Sequence, residues 1–176
     1  MSRGRCDRED VRLNCGCCVL RPRCCCERVR VRPPRRRCCG ATFEGLALQL
    51  TTVEDLEIPA CSPVVFDEVL TDDSWFITYD EKCGELEIHK RGLYAIDWNI
   101  VCDGTSSDHC IRFGIEVNDE IQSSVAIPSG SVQQLCGNTL IKVGHHPVKI
   151  RLVNTGAAVK LPAVSPVANL CILACE

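Results

Sequence analysis

The sequence predicts an all-β fold, an antiparallel β-sandwich or jelly roll, preceded by an extended N-terminal arm rich in cysteine and arginine. Three observations carry that expectation. Short segments of alternating apolar and polar residues recur across residues 41–176, turn-forming residues sit at their joins, and no stretch of helical period has useful length. About eight to ten such segments over roughly 130 residues is the density of a sandwich.

The arm spans residues 1–40. It holds twelve arginines, no lysine and four acids (Asp7, Glu9, Asp10, Glu27), a balance of +8. The whole chain carries −3, so residues 41–176 carry −11. Sixteen cysteines stand in the 176 residues, about 9 %, the range of disulfide scaffolds and metal binders. Nine of them lie in the arm: Cys6, Cys15, Cys17, Cys18, Cys24, Cys25, Cys26, Cys38 and Cys39. The arm's few isolated apolar residues cannot offset an ordering cost of roughly 1–2 kcal/mol per residue, and its like charges favour extension. Glu27–Arg32 alternates charged and β-branched residues, a pattern able to add as an edge strand elsewhere, and Arg32-Pro33-Pro34 then enforces an extended connector.

Adjacent cysteines rarely bond each other, because a vicinal disulfide strains the peptide between them. Those of the arm therefore look outward, which suits cross-links to other subunits. Metal binding is a second reading, although Cys15-x-x-Cys18 has no second knuckle of its form and the arm has no histidine. Disulfides within the arm and a basic anion-binding tail are the third. For nucleic acid the charge is present, but no aromatic residue is interleaved for stacking.

The body spans residues 41–176. Strands are expected at 46–52, 64–66, 75–79, 85–89, 93–101, 110–117, 121–125, 132–143, 148–153 and 167–173. Alternation is plain in Leu86 and Ile88 against Glu85, Glu87 and His89, and in Val148, Ile150 and Leu152 against Lys149 and Arg151. Turns are expected at Thr71-Asp72-Asp73, Asp103-Gly104, Asn118-Asp119, Pro128-Ser129-Gly130 and Asn154-Thr155-Gly156. Trp75 and Trp98 fall within apolar strands and are expected in the core.

Little suggests catalysis or a resident metal. His145-His146 precedes Pro147 at a turn, His89 and His109 alternate out of the core, and Asp72, Asp73, Asp80 and Glu81 lack the ordered spacing of a calcium loop. No nucleophile–base arrangement and no phosphate-cradling glycine loop is legible. No catalytic residue, metal or cofactor is assigned. After Met1 the chain runs through Arg3, Arg5, Cys6, Asp7 and Arg8 with no apolar stretch of a signal peptide, and no run approaches the roughly 18 apolar residues of a membrane span. Abundant cysteine without an export signal fits synthesis in a cell that later lyses and exposes its product to air, or thiols kept reduced on metal.

Several stretches together resemble a known family: Leu86-Glu87-Ile88, Arg91-Gly92-Leu93-Tyr94-Ala95-Ile96-Asp97-Trp98, Phe113-Gly114-Ile115-Glu116-Val117-Asn118, Leu135-Cys136-Gly137-Asn138-Thr139-Leu140-Ile141, Ile150-Arg151-Leu152-Val153-Asn154-Thr155-Gly156 and Ala168-Asn169-Leu170-Cys171-Ile172. They are similar to the C-terminal head of the collagen-like exosporium glycoproteins of bacterial spores, itself like the complement globular-head and tumour-necrosis-factor jelly rolls. The chain departs from that family in having a Cys/Arg arm where collagen-like triplets would stand, and seven cysteines in the body (Cys61, Cys83, Cys102, Cys110, Cys136, Cys171, Cys175). The arm is similar to the N-terminal connectors of spore appendage fibre subunits, where the arm of one subunit bonds to the body of another.

The resemblance implies a structural, self-assembling subunit of a spore surface layer or appendage fibre, made in the mother cell and cross-linked by disulfides. Its partners would be further copies of itself and other spore-coat proteins. The arm cysteines with Cys171 and Cys175 are the inter-subunit candidates, and Cys102 with Cys110 is the candidate bond within the body. The alternatives are a trimeric binding head for a receptor or glycan, with the arm as anchor, and a cysteine-rich metal-binding protein.

Overall fold

The computed structural model describes residues 44–105 and 110–175. Among these residues there is no helix. Twelve strands form: β1 (Gly45–Leu50), β2 (Leu56–Ile58), β3 (Glu68–Asp72), β4 (Ile77–Asp80), β5 (Glu85–Ile88), β6 (Gly92–Asp103), β7 (Ile111–Val117), β8 (Glu120–Ile127), β9 (Val132–Val143), β10 (Val148–Asn154), β11 (Val159–Leu161) and β12 (Ala168–Cys175). They build two antiparallel sheets. The larger runs β2-β11-β6-β12-β1-β3, with β9 on the other edge of β6; the smaller runs β4-β5-β10-β7-β8. Strands remote in sequence lie side by side, β12 between β1 and β6 and β10 between β5 and β7. That crossing between sheets is the jelly-roll topology.

Alternation decides which side chains meet between the sheets. From the larger sheet β6 turns Tyr94, Ile96, Trp98, Ile100 and Cys102 inward, none more than 3 % exposed. Leu48 on β1 and Leu170 and Ile172 on β12 extend that surface. The smaller sheet answers with Leu86, Ile88, Phe113, Ile115, Ile150 and Leu152, all buried. Each such burial is worth about 1.5–3 kcal/mol. Asn118 and Asp119 both take positive φ (49° and 66°), so the expected turn joins β7 to β8 as a two-residue hairpin.

Three expected elements differ in the structure. Residues 64–66 form no strand, although Val64 and Phe66 are buried. Pro63 makes an isolated bridge to Val153, and the Val64 N–H donates to the Leu152 carbonyl at 2.8 Å, so the segment is pinned without joining a ladder. Thr71 and Asp72 belong to β3 rather than a turn; with only two apolar residues and one paired side, an edge strand shows no burial alternation in sequence. Trp75 is a correction: it lies before β4 and is 84 % exposed, because Phe76 takes the inward place beside Tyr94 (centroids 6.1 Å apart) and leaves the indole outside. Trp98 is buried as expected. The strands β2 and β11, three residues each, are too short for any period to reveal.

Phe66 and Tyr79 illustrate how the segment before β4 is held. The Phe66 N–H donates to the Tyr79 hydroxyl oxygen at 2.6 Å, and that hydroxyl donates back to the Phe66 carbonyl at 3.0 Å. Gly84 closes the β4–β5 turn at φ 66°, where an added Cβ would stand 2.6 Å from the Val64 carbonyl oxygen. No other residue fits there without moving backbone.

Candidate functional site

The nine arm cysteines, Cys6 through Cys39, lie outside the described residues, as does His109. The seven body cysteines are described, and no disulfide joins them to one another. Their positions follow from alternation. Cys102 closes the inward row of β6 and is fully buried. Cys110 is exposed, one residue before Ile111 begins the inward row of β7. Of the pair Cys102 and Cys110, one thiol points into the core and the other out of it.

Cys171 and Cys136 share the outer face of the larger sheet. Cys171 stands opposite Asp97 on β6, which stands opposite Asn138 on β9; one row along, Asn169 opposes Asn99, which opposes Cys136. These side chains line an open depression of about 370 Å³. The Asn169 amide donates to the Asn99 side-chain oxygen at 3.3 Å across it. Partial burial, then the Asp97 carboxylate, pushes the Cys171 thiol upward in pKa. Cys175 is exposed at the end of β12, opposite Leu93.

Cys136, Cys61 and Cys83 were not singled out from the sequence. For Cys136 the signal was present: in 132–143, Leu135 and Ile141 share one face, which leaves Cys136 and Asn138 on the other. Cys61 is exposed in the left-handed region at φ 56°, its N–H donating to the Asn154 carbonyl at 2.9 Å. Cys83 is exposed in the β4–β5 turn. Neither position has a periodic pattern around it.

Among the described residues no three His, Cys, Asp or Glu side chains are gathered to hold a metal ion. His145 and His146 are exposed in the β9–β10 turn, and Asp72 and Asp73 are exposed at the end of β3. The Asp80 carboxylate accepts the Lys82 N–H at 2.9 Å, and such bonds lower its pKa. No helix among the described residues is long and apolar enough to cross a membrane.

Burial sorts the thiols by reactivity. Burial pushes Cys102 up from 9.0 to about 12. A soluble alkylating reagent at pH 8 is expected to modify Cys61, Cys83, Cys110, Cys136 and Cys175 readily and Cys102 only after denaturation, read by mass spectrometry. Burial likewise pushes Tyr79 from 10.0 to about 12. Both groups hold their protons more tightly when folded, so their contribution is complete below the unfolded values and is lost as pH rises. The urea midpoint is expected to fall as pH rises from 9 towards 12, and Cys102→Ala should remove the earlier part of that fall.

No family model matches the chain, and no curated protein matches it. Solved structures do. The globular domain of zebrafish complement 1qA superposes with a TM-score of 0.56 at 11 % identity, covering 76 % of this chain and 98 % of that one. The Eiger TNF from S. frugiperda gives 0.56 at 12 %, covering 77 % and 94 %. Murine APRIL gives 0.55 at 8 %, covering 76 % and 99 %. At such identities the likeness speaks for the fold alone, and it agrees with the strand order: the body is a jelly roll of the kind seen in complement 1qA and TNF heads.

Proposed function

We propose that the chain is a structural, self-assembling subunit of a bacterial spore surface layer or appendage fibre, joined to its neighbours by disulfides from the arm. The observation that carries this reading is the outward-facing set of thiols Cys136, Cys171 and Cys175 on one sheet face, unbonded to one another, in a chain with nine more cysteines before residue 41. Body and arm carry −11 and +8, which steers one subunit's arm to another's body. Each bond removes two protons and two electrons from a pair of thiols, and dioxygen accepts the electrons once the mother cell has lysed. Dissociation then becomes a redox event rather than one of mass action.

The same outer face also carries Leu93 and Leu140, 43 % and 65 % exposed, flanking Ala95. An apolar strip of this kind is covered when copies associate, which favours, as a second reading, a discrete oligomeric binding head.

Air-oxidised full chain is expected to run as a ladder on a denaturing gel without reductant and as monomer with it. Replacing the nine arm cysteines by serine should abolish the ladder, and electron microscopy should show filaments or layers rather than discrete particles. Oxidised wild-type protein that runs as monomer overturns the cross-linking, and uniform discrete particles favour the binding head.

A further inference from the structure

An acidic stretch of the body contains one of the free sheet edges among the described residues. From Glu44 to Glu81 there are ten acids and no lysine or arginine. β3 pairs with β1 on one side, and among the described residues no strand pairs with its other side. Along that free edge Val69 and Leu70 are 43 % and 50 % exposed, and Trp75 follows just beyond its end. Asp67, Glu68, Asp72 and Asp73 flank the edge, and none is ion-paired among the described residues.

Charges at a sheet edge, with a bulge such as the register shift opposite Ala47 and Leu48, ordinarily discourage edge-to-edge pairing. They do so here against another β3, since acid would face acid. Towards a basic strand they act in the opposite sense. The chain contains one: Glu27-Arg28-Val29-Arg30-Val31-Arg32, alternating arginine with a β-branched residue and stopped by Pro33-Pro34, which have no N–H to continue a ladder.

We propose that the free edge of β3 is the docking strip for residues 27–32 of a second copy, which add antiparallel to it with the arginines on one face and the valines on the other, the basic strand drawn to the acids that flank the edge. Main-chain bonds to an exposed edge supply affinity, and the alternating side chains supply selection. This rests on the reading that the arm joins neighbouring subunits, and it names where the arm goes.

The antiparallel sense has a geometric consequence. Asp72 opposes Leu46, which opposes Ile172, so the Asp72 end of β3 is the end at which β12 reaches Cys175. Residue 27 would lie near Asp72, and Cys24–Cys26 would run off that end. Cys175 lies three strand spacings from the docked arm, about 14 Å, a span that three residues of extended chain and the roughly 5–6 Å between the Cα atoms of a disulfide together cover. Docking would select the thiols that dioxygen then joins.

Hydrogen exchange on the full chain, kept reduced so that no disulfide contributes, tests the docking. Exchange at the Glu68–Asp72 amides not bonded to β1 is expected to slow about tenfold as protein concentration rises and to recover with salt. The variant R28E/R30E/R32E should lose that protection, and adding E68K/D72K to it should restore it. After air oxidation of wild-type protein, peptide mapping should find Cys24, Cys25 or Cys26 bonded to Cys175.

Protection that is absent, independent of concentration, unchanged by arginine reversal or located on β8 or β9 overturns the proposal. If cross-links still form under that result, the arm joins subunits by another route. If reduced protein shows the protection but oxidised protein forms no ladder, docking stands and the covalent reading fails.

Discussion

Replacing Asn154 with alanine is expected to lower stability by about 3 kcal/mol and the melting temperature by roughly 10 °C. Asn154 ends β10 and is fully buried. Its amide nitrogen donates to the carbonyls of Ile58 (3.2 Å), Pro59 (3.0 Å) and Ala157 (2.8 Å), while its oxygen accepts the Gly156 N–H at 2.9 Å. Two hydrogens serve three carbonyls, so one bond is shared. Alanine would leave those groups without partners in a place largely closed to water. Aspartate should be worse: it keeps the acceptor for Gly156 and sets a carboxylate against three carbonyl oxygens. Denaturant titration is expected to rank asparagine above alanine above aspartate.

The same residue links stability to the thiol surface. Its backbone accepts the Cys61 N–H and donates to the Ser62 carbonyl, each at 2.9 Å. Loosening the Ile58–Ser62 segment should therefore raise the alkylation rate of Cys61 and leave that of Cys136, on the other sheet, unchanged. A stability loss with no change at Cys61 would separate the buried amide from the loop it appends.

Much of this architecture is legible in the sequence where one face of a strand is buried and the other wet. The expected bounds at 132–143 agree with β9, and β5, β6, β7, β10 and β12 are displaced by no more than two residues. Reading fails at the margins of the sheets for a physical reason. β3 has one paired side and no buried face, so nothing in Glu68–Asp72 repeats with period two, and the acids that suit an exposed edge read as turn residues. Trp75 shows that an indole's apolar character does not settle its direction, because the adjacent Phe76 claims the only inward slot. Cys102 falls one residue past the strand expected at 93–101, yet β6 continues through Asp103 and alternation carries it into the core. The outward positions of Cys171 and Cys175 follow from that rule on β12.

Gly137→Ala is expected to cost about 2–3 kcal/mol, a large effect for one methyl group on a strand. Gly137 stands opposite Trp98 in the β6–β9 ladder, and the indole lies across the space a side chain would take. A Cβ there would come within 2.5 Å of Cε2 and Cζ2 and 2.7 Å of Nε1. Trp98 is 3 % exposed, so the ring has no open side to move into, and displacing it disturbs the centre of the core. The indole N–H already lacks a hydrogen-bond partner, a standing cost of burying a tryptophan there. Trp98→Phe should remove both that unpaired donor and the ring edge over Gly137, at about 1 kcal/mol for the volume lost. In that background Gly137→Ala should be close to neutral, giving a coupling of at least ~1.5 kcal/mol in a double-mutant cycle. Fluorescence supplies a second readout, since Trp98 is the buried tryptophan and Trp75 the exposed one: Gly137→Ala alone should shift the blue component to the red. Additive costs in the cycle would show that the ring is not what requires glycine at 137, and that β9 itself resists a side chain there.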